Sequence, residues 1–351
     1  MKIKVQTKSG EFEYDCEQGE NLLYAGLRQG LTLPYECATG TCGTCRARVK
    51  EGKICLEWAE APGLSYVNQE KNELLMCRST APGDCTLRVP AKVLEGVGSE
   101  AVPGCRADYY KGKIINFREH NHDVVSFDVA LDAPMAFDAG QFAVLDSAEV
   151  TGGRAYSMVN YATSTDTLDF VIKRKPEGKF SDWLYENNVV GNEIDVFGPL
   201  GKATFHPEEK KNVLCVAGGS GIAGIMSIIT RGCQDSHFAD HRGYVFFGVR
   251  TAQDVFFLDE LSSFVEAYPE TLEVTVALSD EDVHPELKNR YPLIAFQTGF
   301  VHAVTSEQMA GKYDNILAYV AGPPPMVDGA LRMLVLEARL PGTDIRYDKF
   351  G

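Results

Sequence analysis

Cys37, Cys42, Cys45 and Cys77 are the residues whose types and spacing most plainly suggest chemistry. Three lie in Cys37-Ala38-Thr39-Gly40-Thr41-Cys42-Gly43-Thr44-Cys45, and the fourth stands 32 positions beyond. The pattern C-x4-C-x2-C with a distant C suits a 2Fe–2S cluster, whose two sulfide-bridged irons need four thiolates. Gly40 and Gly43 fit that reading. A loop wrapped round a cluster must bring backbone N–H groups to sulfur, and glycine reaches φ > 0 without a Cβ penalty. A structural zinc site calls for two short cysteine pairs, and a thioredoxin-like pair has no use for Cys37 upstream. The chemistry expected is one-electron transfer.

Two further sets of residues suggest nucleotide cofactors. Arg154-Ala155-Tyr156-Ser157 is followed by Lys173-Arg174 and by Gly178-Lys179-Phe180-Ser181, which opens a helix. A glycine and a serine at a helix start offer free N–H groups and a hydroxyl to a pyrophosphate. Arg154 can add a bidentate contact. Tyr156 offers a flat face to a flavin ring, and Ser157 a hydroxyl to a ring nitrogen. Standing alone, this stretch would read as a strand with a half-buried aromatic. Further on, Val213–Ala217 runs into Gly218-Gly219-Ser220-Gly221-Ile222-Ala223-Gly224. G-x-G-x-x-G between a strand and a helix cradles a dinucleotide pyrophosphate. The acidic residue usual after the second strand is not evident, since Gly243 to Val249 ends in Arg250, with Asp254 beyond. This is therefore not an ordinary dehydrogenase domain. A second loop, Ala321-Gly322-Pro323-Pro324-Pro325-Met326, follows the strand Leu317–Val320 at the same sheet edge, where ligands gather.

The elements that must position these residues divide the chain into three units. Its 351 residues allow two to three domains, and 44% apolar with 24% charged residues is ordinary for soluble globular protein. Residues 1–95 begin with a hairpin, Lys2 to Thr7 and Glu11 to Cys16. A helix from Asn21 to Gln29 ends at Gly30, and strands follow at Leu74 to Cys77 and Cys85 to Val89. Residues 96–106, rich in glycine and proline, read as a linker. Residues 107–206 hold short strands at Tyr110 to Asn116, Val124 to Leu131, Gln141 to Leu145, Leu168 to Arg174 and Glu193 to Phe197. One helix, Ser181 to Asn187, interrupts them, which suggests a small antiparallel barrel. Residues 207–351 alternate strands (213–217, 243–249, 272–277, 316–320) with helices (222–233, 255–267, 325–339), as a parallel α/β layer does. The fold class expected is multidomain, α+β followed by α/β.

No signal peptide or membrane span is read. The apolar stretch Val213 to Ile229 is broken by four glycines and suits a strand, a turn and a helix. Among ten cysteines, Cys16, Cys55, Cys85, Cys105, Cys215 and Cys233 show no ligand spacing and are read as inert packing residues in a reducing cytoplasm. The net charge of −15 argues against nucleic acid or anionic membrane as partners. Residues 1–95 hold 12 basic and 13 acidic side chains, a net of −1, so −14 falls on the rest. His120 and His122 are read as a solvated turn, with no second metal.

Over its whole length the chain resembles the reductase components of multicomponent bacterial oxygenases, within the wider ferredoxin–NADP reductase family. The resemblance rests on the order of the cysteine motif, R-x-Y-S, G-G-x-G-I-A and G-P-P-P-M. It implies a β-grasp ferredoxin domain, an antiparallel β-barrel FAD domain and a parallel α/β NAD domain. It implies the cluster on the four cysteines, and FAD on Arg154, Tyr156, Ser157, Val171, Ile172, Lys173, Gly178, Lys179, Phe180 and Ser181. Nicotinamide binding falls on Gly219, Ser220, Gly221, Ile222, Gly322, Pro323 and Pro324. The closing Arg346-Tyr347-Asp348-Lys349-Phe350-Gly351 is similar to family C-termini and gives Phe350 a place near the flavin, with Tyr156 and Ser157. Two departures stand out: Ala321 where many members have Cys, and Gly224 where many have Pro. Electrons would pass from NADH to FAD, then to the cluster, then to a terminal oxygenase or hydroxylase of di-iron or Rieske type. NADPH is less expected, because only Arg250 offers a cation and Asp254 stands close by. Plant-type clusters sit at about −400 mV and Rieske centres at roughly −150 to +300 mV, so that transfer runs downhill. Two rival readings are a reductase for another iron–sulfur enzyme, such as a deoxysugar-pathway dehydratase, and a non-catalytic iron–sulfur carrier.

Overall fold

A computed structural model describes residues 1–96 and 105–350. The expected linker thus falls mostly on residues 97–104, outside the described residues.

The first unit builds a five-stranded mixed sheet. Strands β1 (Lys2–Gln6) and β2 (Glu11–Asp15) form the hairpin, joined by β3 (Arg46–Glu51), β5 (Glu73–Leu75) and β7 (Cys85–Arg88) in the order β2-β1-β7-β3-β5. The short strands β4 (Cys55–Leu56) and β6 (Ser79–Thr80) pair separately. Helix α1 (Leu22–Arg28) packs across the sheet. It starts where Asn21 accepts from the amides of Leu23 and Tyr24 and satisfies two otherwise orphan donors. This is a β-grasp. One expectation is corrected at Leu74 to Cys77: the strand stops at Leu75, and Met76–Arg78 is a single 3₁₀ turn.

The second unit is a six-stranded antiparallel sheet: β8 (Asp108–Glu119), β9 (Val124–Met135), β10 (Phe142–Ser147), β11 (Val150–Ser157), β12 (Thr165–Lys173) and β13 (Glu193–Leu200). The order is β11-β10-β13-β8-β9-β12, and the two edges meet at one bridge, Met158 to Phe170. A curled sheet of this kind protects its edges. The sequence reading lacked β11, because two glycines weaken its strand pattern. Helix α2 runs from Lys179 to Glu186.

The third unit is a parallel sheet: β14 (Asn212–Gly218), β15 (Gly243–Val249), β16 (Leu272–Leu278), β17 (Ala295–Thr298), β18 (Ile316–Gly322) and β19 (Ile345–Lys349), in the order β17-β16-β15-β14-β18-β19. Its helices are α3 (Ile222–Gln234), α4 (Leu258–Ala267), α5 (Pro285–Arg290), α6 (Val301–Gln308) and α7 (Pro324–Arg332). The helix expected from Val255 begins at Leu258, because Phe257 takes a left-handed conformation. The helix expected to reach Arg339 ends its α-helical run at Arg332 and continues as a π turn to Glu337. Strands β17 and β19 are additions to the expected sheet. Both are edge strands, and their half-exposed patterns carry little apolar signal.

One packing feature matters for function. Phe142, Val144, Phe197 and Leu200 of the barrel share a buried cluster with the ferredoxin-like core. The Tyr24 ring stacks on Phe197 at 4.0 Å. The two units are thus fixed to each other by apolar burial and not merely tethered.

Candidate electron-transfer site

The cysteine loop is built from donors. The Cys37 sulfur accepts from the amides of Thr39, Thr41 and Cys42, each at 3.4 Å, and the Cys42 sulfur from that of Thr44 at 3.5 Å. Cys45 and Cys77 are buried with their sulfurs 3.2 Å apart. The Cys37 thiol is held far below its ordinary range, first by its hydrogen bond with Cys42 and then by the three amides. Cys45 is lowered chiefly by its hydrogen bond with Cys77. Their partners are raised by the same hydrogen bonds, so each pair favours one thiolate. A loop that stabilises thiolate with amides suits a metal cluster. Gly40, at φ +89°, must be glycine: a Cβ there would stand 2.8 Å from Cγ of Arg78. Tyr24 donates from its hydroxyl to the Ala38 carbonyl, and Asn21 from Nδ2 to that of Cys77 at 2.5 Å. Sequence reasoning missed both, since neither stands in the cysteine motif.

Strand β11 and helix α2 bring the two flavin motifs together. The rings of Tyr156 and Phe180 lie 5.5 Å apart, and burial pushes the Tyr156 phenol well up. The amides of Lys179, Phe180 and Ser181 open α2 and have no intrahelical partner, which is a ready anion site. Several expected roles change. The Ser181 hydroxyl is buried and closes its own turn, donating to the Gly178 carbonyl and accepting from the Lys175 amide. It is not aimed outward. Val171 and Ile172 put their side chains in the core, leaving only backbone for a ligand. Lys173 pairs with Asp123 at 2.9 Å and Asp254 at 3.7 Å. Arg154 keeps its expected role open: only its Nη1 is engaged, donating to the Gly152 and Gly153 carbonyls at 2.8 and 3.1 Å.

At the far side of the flavin motif, Ser157 meets the parallel sheet. A Cβ on Gly224 would lie 3.6 Å from Cβ and Oγ of Ser157, an ordinary contact, so the glycine is not forced by space. Within the turn Gly219–Gly221, Gly221 is forced. A Cβ on Gly221 would stand 2.3 Å from the Ala321 carbonyl oxygen. Met326 lies against both Gly218 and Gly322, so the two loops touch. Pro323 caps α7 and Pro324 opens it. The Phe350 amide donates to the Gly322 carbonyl at 3.2 Å, which sets Phe350 at the same edge, about a third exposed. Asp254, expected close to Arg250, has its carboxylate engaged in closing the Thr251 turn and pairing with Lys173. With His122 and Asp123 it forms a group whose ligand atoms lie within 4.8 Å, but Lys173 already supplies the counter-charge. Cys55, expected to pack, is exposed.

Comparison with known proteins gives the same three parts. A 2Fe–2S iron–sulfur cluster binding domain matches residues 4–82, an oxidoreductase FAD-binding domain 111–205 and an oxidoreductase NAD-binding domain 215–332. The ferredoxin–NAD(P)+ reductase CarAd of Metapseudomonas resinovorans is 32% identical over 97% of this chain and 98% of its own. The ferredoxin–NAD+ reductase component of an alkene monooxygenase system of Xanthobacter autotrophicus is 31% identical over 96% and 97%. This chain belongs to the reductase components of multicomponent oxygenases. The structure of a ferredoxin reductase in carbazole 1,9a-dioxygenase superposes over 100% of this chain and 99% of that one, with a TM-score of 0.82 and 29% identity. The chain is thus an oxidoreductase with a 2Fe–2S, an FAD and an NAD domain. Among the described residues no helix is long and apolar enough to cross a membrane.

Proposed function

We propose that this reductase takes electrons from NADH and delivers them singly to the terminal oxygenase or hydroxylase component of its own system, in the cytoplasm. A bound flavin accepts two electrons as hydride and releases them one at a time, which the nicotinamide and the cluster cannot each do alone. In this reading Cys37, Cys42, Cys45 and Cys77 hold the cluster. Arg154 and the amides of Lys179, Phe180 and Ser181 would hold the FAD pyrophosphate, Tyr156 would offer its face to the ring with Phe350 near it, and Ser157 would offer its hydroxyl to a ring nitrogen. The turn Gly219–Ile222 and Gly322–Pro324 hold the nicotinamide cofactor.

The observation that carries the reading is continuity. Strand β11 stands between the other two units: Ser157 at its end lies beside Gly224 of α3, and its Gly153 carbonyl accepts from Arg78, which also bonds the cysteine loop. A non-catalytic carrier would have no need of that continuity. The test is Cys77→Ser. The variant is expected to lose the cluster and keep FAD, because the ligand lies in a separate unit. NADH oxidation with a dye acceptor survives, and cytochrome c reduction falls by at least about tenfold, as the one-electron exit is gone. Loss of flavin together with iron would sink the three-part reading.

A further inference from the structure

Arg78 follows the last cluster cysteine and is 8% exposed. Its guanidinium donates from Nε and Nη2 to the Thr39 carbonyl at 3.0 and 2.8 Å, inside the cysteine loop. Nη2 also reaches the Gly153 carbonyl of β11 at 3.3 Å, across the boundary between two units. The same carbonyl accepts from Nη1 of Arg154 at 3.1 Å. One backbone oxygen is therefore shared by the arginine behind the cluster and the arginine that opens the flavin motif. The Trp58 ring lies 5.5 Å from the Arg78 guanidinium and covers it. Glu57 and Asp146 border it. Burial pushes both carboxyls up, and the Arg78 charge pulls both back. The planar fork makes three bonds in fixed directions, which a lysine cannot reproduce.

We infer that Arg78 is a positioning residue for electron transfer from flavin to cluster, fixing the cysteine loop in register with the strand that carries Arg154. This rests on the electron route proposed above. A buried charge that only stabilised the ferredoxin fold would be satisfied by Thr39 and its neighbouring carboxylates. The bond to Gly153 adds nothing to that fold and links two sites. Electron transfer between two fixed centres falls off with their separation, so loosening the loop against β11 slows that step without touching hydride transfer to the flavin.

The test is single-turnover absorbance on the full-length holoprotein, wild type against Arg78→Lys and Arg78→Met. NADH supplies two electrons as hydride. One then passes to the cluster and the other stays on the flavin, with a proton released to solvent. Flavin bleaching by NADH is expected at the wild-type rate in both variants. Cluster reduction is expected to slow several-fold in both, because both lose the fixed fork that ties the cysteine loop to β11. The cluster potential, titrated separately, should fall in Arg78→Met, which loses a cation, and stay near wild type in Arg78→Lys. That split distinguishes position from charge. Where a variant carries less than full iron, the rate is read on its loaded fraction, since only loaded molecules bleach. Cluster reduction at the wild-type rate in both variants overturns the inference. So does slowing in Arg78→Met alone, which would make charge the cause. A wild-type cluster that NADH does not reduce through flavin would overturn the electron route itself, a separate outcome.

Discussion

At the residue scale, Asp348 shows how the C-terminal strand depends on pH. Burial pushes its carboxyl up to about 7, and the Glu36 carboxylate of the ferredoxin-like unit adds to the effect. The native chain therefore holds a proton that the unfolded chain gives up at ordinary carboxyl pH. Stability falls as pH rises through the window from the ordinary value of 3.8 to about 7, and is flat above it. Asp348→Asn removes that slope. Its melting temperature should exceed wild type at about pH 8 and match it at about pH 4. An equal gain at both would mean that the carboxyl is not protonated in the native state. Arg250 supports a second prediction, preference for NADH. It is exposed at the end of β15, and its carbonyl accepts from the Asp280 amide at 2.9 Å, which brings an acidic loop beside it. A 2′-phosphate needs clustered cations at that strand end. Steady-state kinetics should give the higher kcat/KM with NADH, and a higher value with NADPH would overturn this. Asp254 cannot be the residue responsible, since its carboxylate is engaged elsewhere.

At the element scale, α3 joins the parallel sheet to the barrel through a shared apolar cluster, the Gly140 amide bonded to Ser227 Oγ, and a buried ion pair. Arg231 and Asp138 are 6% and 1% exposed and bonded to each other. Arg231 also donates to the Phe205 carbonyl at 3.3 Å and lies over the Tyr161 ring. Removing Arg231 takes the cation from a buried carboxylate that keeps the Ala139 amide as a donor, so Arg231→Leu should cost about 3–5 kcal/mol in chemical denaturation. Lys111→Ala breaks an exposed pair with Asp195 and should cost about 1 kcal/mol or less. Similar losses in the two would remove the claim that α3 is anchored here. The sequence shows the same division of legibility. The cysteine motif, α1 and the strand–turn–helix at Gly218 were readable because spacing, caps and apolar runs are local. Strands β11, β17 and β19 were not, since glycines and half-exposed edges blur periodicity. Arg78, Tyr24 and Asp138 were invisible as site residues, because their partners stand 75, 14 and 93 positions away. No local pattern records such distances.

At the scale of the whole molecule, charge sets how the reductase meets its acceptor. The chain carries −15 in all but only −1 over residues 1–95, so an acidic acceptor is repelled least at the ferredoxin-like face. Cys37 and Cys42 are half-exposed in its loop, and Tyr66, 62% exposed, stands against Gly43. Arg46 and Arg48 border the loop, but they are not free charges. Both approach Glu73, at 3.9 and 3.3 Å, and Arg46 donates to the Tyr66 carbonyl. Two cations against Glu73 and the exposed Glu36 beside Cys37 leave the protein side chains there near neutral, so steering is modest. Arg46→Glu should lower the second-order rate of electron delivery to the cognate oxygenase several-fold at low ionic strength. Wild type and variant should converge as salt screens charges beyond about 3 Å near 1 M. Stopped-flow rates across a salt series decide between the possibilities. A variant that follows wild type at every ionic strength would move the docking face away from this loop, because reversing one of two cations beside the cluster could not leave an electrostatic encounter there unchanged.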